Sequence, residues 1–280
     1  MKTRTISDEK VQKFVGNLDI GDVNILEYPV SGVSRTVTAL TTLMIDINLK
    51  CKNLHNQLVW FHDVPYHFVI QFSDDGAPES KDTTMTIGSL TMWNLGSRAR
   101  SRDYQYILHA ASLGEKDPTC ELLWKQHTDE MMILEGNELN IAGEKCTIEF
   151  QPSADQSWQI WANNVLPASS TYPSPYVNVH KSDLVFLNGS IGEEKTNKWH
   201  PPTWEERIKE IKKVDAFKKT LNPNLAESTN HDKLLEFMAD NGLRQLGHPR
   251  IGKFSDLQRP DPLHLEMNSW QHVLDAWRSI

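Results

Sequence analysis

Residues 66–76 read YHFVIQFSDDG. Tyr66 to Phe72 is dense in aromatic and β-branched side chains, and Ser73-Asp74-Asp75-Gly76 follows as a turn signal. The stretch therefore predicts a strand that runs out into an aspartate. Downstream, Thr83 to Leu95 carries Met85, Ile87, Leu90 and Met92 at apolar positions, and Tyr104 to Leu113 is a third β-rich run. Gly76, Pro78, Gly96 and an Arg-Ser stretch mark the links. Three consecutive strands on short links predict an antiparallel meander.

Asp117-Pro118-Thr119 then supplies a cap and a first-turn proline. Leu123, His127, Met131 and Leu134 share one helical stripe, and Gly136-Asn137 can end it. Lys145 to Phe150 is a fourth strand, closing on Ser153-Ala154-Asp155. A helix with Trp158, Ile160 and Trp161 opens at Gln156 and extends to Leu166. The order β-β-β-α-β-α predicts an α/β domain with a ribonuclease H-like mixed sheet, followed by a mostly helical C-terminal region. If the fourth strand lies parallel to the first, Asp75 and Asp155 emerge at the same sheet edge. Adjacent carboxylates repel and need a cation, and hard oxygen ligands suit Mg²⁺ or Mn²⁺. Two such ions about 3.5–4 Å apart drive phosphodiester displacement. Asp75 is preferred over Asp74 because it directly precedes Gly76. Taken singly, Asp-Gly is an ordinary turn pair and a junction Asp an ordinary helix cap. The expectation rests on both in this element order.

The 280-residue chain is 39% hydrophobic and 24% charged, as expected of a soluble globule and not of a disordered or fibrous chain. No run approaches the ~18 apolar residues of a membrane span, and the polar start carries no secretory pattern. Cys51, Cys120 and Cys146 are too few and too scattered for a disulfide frame or a CxxC zinc site. A net charge of −8 means that any phosphate contact must come from local patches.

Four segments resemble the catalytic core of DDE transposases related to the V(D)J recombinase catalytic subunit and its invertebrate transposon-derived relatives. Phe72 to Ala77 is similar to the first-aspartate motif, and Phe150 to Asp155 with its Trp-rich helix to the second. Thr171 to Val177 is similar to a Pro-Cys-Pro-x-Cys segment, and Pro260 to Glu266 to the start of a helical insertion. The resemblance implies catalytic and metal-binding roles for Asp75 and Asp155, DNA as partner, a homodimer as one allowed arrangement, no membrane and a nuclear location. It departs at three points. Ser174 and Val177 fall on the zinc-cysteine positions, so no zinc is expected there. The third acid falls beyond Ile280, so the set is expected to be incomplete and inactive. No separate DNA-end-binding domain is visible in residues 1–55. The division expected is 1–55, 56–187 and 188–280.

Arg98, Arg100 and Arg102 are expected at a basic hairpin tip, and Trp204 to Leu221 as an amphipathic helix bearing Lys209, Lys212 and Lys213. Both are candidates for nucleic-acid backbone contact, although charged faces are commonly just solvated. A non-enzymatic DNA- or protein-binding module is the alternative reading. An exonuclease-type site would call on Glu79 or Asp82, and Glu266 is a weak stand-in for the third acid. Val37 to Leu49 fits helix or strand, and Ser7 to Val15 opens with a helix signal.

Overall fold

The computed structural model describes residues 22–26, 31–78, 84–114, 117–185, 196, 198–257 and 259–260. Two short strands, β1 (Asn24–Leu26) and β2 (Gly32–Ser34), precede helix α1 (Val37–Lys50) and a single turn, α2 (Lys52–His55). The meander follows as β3 (His67–Pro78), β4 (Thr84–Met92) and β5 (Gln105–Ala111). Helix α3 (Pro118–Leu134), β6 (Leu139–Ile141), β7 (Glu144–Ala154) and α4 (Gln156–Asn163) come next. Helices α5 (Trp204–Lys218) and α6 (Glu227–Asp240) and the short β8 (Arg259–Pro260) complete the described elements. The sheet runs β1-β2-β5-β4-β3-β7-β6, with β8 on β7. It is mixed: β3 is antiparallel to β4 and parallel to β7.

Local chemistry accounts for the helices. Thr36 caps α1 by accepting the Ala39 N–H, and its buried residues Val37, Leu40, Thr41, Met44, Ile45 and Asn48 recur every three to four positions. That spacing decides for helix over strand. Asp117 caps α3 with Pro118 in the first turn, and Leu123, His127, Met131 and Leu134 are all buried. The core lies between the sheet and these helices, where Phe72 meets Trp124, Trp158 and Phe254 at ring-centroid distances of 5.6, 6.4 and 5.6 Å. Val37, Met44 and Ile45 of α1 belong to the same core. Helices α5 and α6 pack through a second cluster around Leu166, Val214 and Met238, with Phe217 stacked on Phe237 at 4.0 Å.

Two local expectations are corrected. Strand β3 does not stop at Ser73. It pairs with β4 through Asp74↔Gly88, Gly76↔Thr86 and Pro78↔Thr84, because a continuous ladder with β4 outweighs the local turn signal. Arg98 to Arg102 is not a hairpin tip. Trp93–Arg100 and Arg102–Tyr104 are 3-10 helices, with Gly96 at φ +60. Asn94 ties the first of them to β3, since its Oδ1 accepts the Val69 N–H and its Nδ2 donates to the His67 and Val59 carbonyls, each at 2.9 Å. No helix among the described residues is long and apolar enough to cross a membrane.

Candidate functional site

The β3–β7 register has a constant offset of 80, from His67↔Thr147 to Phe72↔Pro152. Asp75 and Asp155 therefore stand at equivalent positions, each three residues past the last pair and at the same end of two parallel strands. Beyond Phe72, β3 stays with β4, while β7 gains β8 at Ser153↔Arg259 and Ala154↔Pro260. The strands thus part company three residues before the two aspartates. Asp75 pairs with Ile87 and is exposed. Asp155 is half-buried and caps α4, its Oδ1 accepting the Trp158 N–H at 2.7 Å.

Strand alternation sends the neighbouring Asp74 to the other face, where it is 3% exposed. Its carboxylate accepts from Thr86 Oγ1 at 2.6 Å and Trp124 Nε1 at 2.5 Å, and from the Cys120 thiol at 3.7 Å. His109 Nε2 lies 3.7 Å from Oδ2, beyond hydrogen-bond distance. Burial opposes the Asp74 charge, but His109, Thr86 and Trp124 outweigh it and hold the carboxyl below the ordinary value. Burial and the Asp74 charge push the Cys120 thiol upward. The rings of His109 and His127 stack at 5.3 Å and 9°. Burial, then repulsion from His109, pulls His127 down to about 3. Asp74 is thus committed to a packed polar knot under the sheet, and of the two adjacent carboxylates Asp75 is the one presented to solvent.

Two carboxylates at one strand end fit a hard divalent cation, which binds one or two carboxylates and completes its shell with water or phosphate oxygens. Among the described residues, no group of three or more His, Cys, Asp or Glu is arranged to hold a metal. Glu79, Asp82 and Glu266 lie outside the described residues, as does the Ser7 to Val15 helix signal. Asp155 can offer a cation only what its capping bond leaves available.

The basic candidates separate by role. Lys209, Lys212 and Lys213 are exposed on α5 at helical spacing i, i+3, i+4, which places them on one face. Arg100 is exposed, whereas Arg98 is half-buried: it donates to the Leu95 and Gln57 carbonyls and stacks 5.9 Å over Tyr104. Arg102 opens the second 3-10 helix.

In the loop 174–177, Ser174 Oγ accepts the Tyr176 and Val177 N–H groups. Arg244, 4% exposed, donates to the Val177 carbonyl at 2.7 Å and to the Pro175 carbonyl at 3.1 Å. A serine turn and a buried guanidinium hold this loop. Sequence reading passed over Arg244, Arg207 and Gln245 because nothing local sets them apart. His127 did carry a signal, as a polar side chain on an otherwise apolar stripe.

No protein family matches the chain, and no curated relative matches it either. Among solved structures, a crystal structure of NurA aligns over 86% of this chain at 12% identity, with a TM-score of 0.17. The chain spans 43% of that structure's length. So loose a superposition carries no argument about fold or activity.

Proposed function

We propose that this chain is a ribonuclease H-like domain of DDE-transposase ancestry that binds Mg²⁺ or Mn²⁺ through Asp75 and Asp155 and contacts a nucleic-acid backbone. The observation that carries the reading is the offset of 80 between β3 and β7, which puts both aspartates at one end of a parallel pair. The meander, the crossover helix and the return of β7 beside β3 support the ribonuclease H-like assignment. Asp75 and Asp155 would hold the cation, which would supply positive charge to stabilise a phosphate of the bound backbone. The described residues contribute two acids to this end, so cation and phosphate binding is the activity they support. Strand cleavage requires a further acid. Mn²⁺ titration of the full chain, compared with Asp75→Asn and Asp155→Asn, tests this. Binding in the wild type that weakens at least tenfold in each variant is expected, and equal affinity in all three would overturn the proposal.

The second reading is a binding module that uses the fold as a scaffold. The lysine face of α5 favours it. Salt-dependent DNA binding that is lost on replacing Lys209, Lys212 and Lys213 by Ala, and indifferent to Asp75→Asn, is its signature. Each phosphate contact removed should flatten the log K against log salt slope by about 0.9.

A further inference from the structure

Helix α4 has only eight residues, and helices so short are marginal alone in water. Its N-terminal end is Asp155. Its C-terminal end leaves backbone carbonyls that need donors; the Asn164 and Val165 N–H groups serve Trp161 and Ile160, and the segment 245–250 adds donors to Trp161 and the three residues after it. The Trp161 carbonyl accepts from Arg250 Nη1 and that of Ala162 from the Arg250 N–H. The carbonyl of Asn163 accepts from Gln245 Nε2 and that of Asn164 from the Leu246 N–H. Gly247 permits the approach, since a Cβ there would meet Asn164 Nδ2 at 2.7 Å. The Gln245 side chain is 1% exposed and fixed from both ends. Arg207 Nη1 donates to its Oε1 at 3.1 Å, and its Nε2 also donates to the Gly247 carbonyl at 2.7 Å. Its backbone N–H, with that of Arg244, donates to the Glu210 carboxylate on α5. Arg250 adds an ion pair to Glu121 of α3 at 2.9 Å and packs 4.9 Å over the Trp161 ring.

From this we infer that Gln245, assisted by Arg250, is a positioning residue for the Asp155 carboxylate: it clamps the far end of α4 and so fixes where the capping aspartate sits. The clamp lies in the segment that follows α6 and is held by α5, so that segment tunes the cation site from the far end of α4. The part of the inference that concerns metal rests on the reading proposed above. The clamp itself does not.

The test uses the full chain as wild type, Gln245→Leu and Arg250→Met, with amide hydrogen exchange and Mn²⁺ titration read in parallel. The variants should exchange the α4 amides, the Trp158 N–H above all, at least tenfold faster while the β3–β4 ladder is unchanged. Mn²⁺ affinity should fall about tenfold, the lower end of what removing an outer-shell support costs. If Gln245→Leu does not fold, the less buried Arg250→Met decides. Unchanged α4 exchange in a folded variant overturns the clamp. Faster α4 exchange, with wild-type Mn²⁺ binding absent or insensitive to Asp75→Asn, retains the clamp and overturns the metal reading. Faster exchange with unweakened Mn²⁺ binding that still requires Asp155 overturns the positioning role.

Discussion

Gly88 of β4 stands opposite His109 of β5, and a Cβ added to Gly88 would lie 2.1 Å from His109 Cε1. The imidazole occupies the space where a side chain would be. His109 reaches Asp74 and stacks on His127 only because residue 88 has none. Gly88→Ala should therefore destabilise by about 1–3 kcal/mol or more, as overpacking in a closed core does. Denaturant melts measure it. Adding His109→Ala should recover part of the loss, since neighbours that clash do not add. Additive losses would disprove the steric account.

His127 makes stability depend on pH. Its folded value lies near 3, well below the ordinary imidazole value, because burial and His109 oppose the charge. The unfolded chain therefore binds the extra proton first as pH falls through about 6.5. The contribution of His127 to stability is complete above that point and declines toward pH 3, with a limiting slope of about 1.4 kcal/mol per pH unit. His127→Leu should flatten the stability profile between pH 6 and pH 4, within the window of about 6.5 to 3 set by these values.

What the sequence disclosed was what depends on near neighbours. Asp117 with Pro118, the buried stripe of α3, and Asp155 with Trp158 are each settled within a turn or two of chain. Asp74-Asp75-Gly76 was misread because its conformation is dictated by Thr84 to Gly88 on another strand. β1 and β2, with three residues each, are too short to show a period. The site divides in the same way. The placement of Asp75 and Asp155 at one end of two parallel strands followed from the order of elements. The clamp did not, because Gln245 meets Arg207 and Asn163 across 38 and 82 positions of sequence.

Glu135 ends α3 and accepts the Phe150 N–H at 2.8 Å. Burial pushes its carboxyl up to about 7; the Phe150 N–H opposes this and Glu149 adds to it. Here the folded chain holds the proton longer than the unfolded one, so the Glu135 contribution is present at low pH and is lost as pH rises through 7. Glu135→Gln keeps an acceptor for Phe150 and removes the charge. Its melting temperature should exceed that of the wild type at pH 8, and the gap should close by pH 5.

The basic residues near β5 should separate stability from binding. Arg98→Ala removes two hydrogen bonds and the contact with Tyr104, so a loss of about 1 kcal/mol or more is expected from melting curves. Arg100→Ala removes an exposed side chain and should stay within about 0.5 kcal/mol. If these residues contact phosphate, Arg100→Ala lowers DNA affinity at low salt without moving the melting curve. Equal stability of the two variants would refute the division of roles.

Arg244 should tolerate no replacement, including lysine. Its planar fork serves two carbonyls at once, at Val177 and Pro175, and an ammonium offers no matching geometry. Burial, then repulsion from Arg207, lowers its pKa to about 10, so it stays charged at neutral pH. Arg244→Lys would leave a buried charge poorly partnered, and a loss of about 2–3 kcal/mol follows from the charged hydrogen bonds forgone. The loop 174–177 should loosen first, because the Arg244 bonds to the Pro175 and Val177 carbonyls are then lost. Hydrogen exchange at Val177 and the denaturation midpoint report the two effects. A Lys variant as stable as the wild type would show that the serine turn suffices.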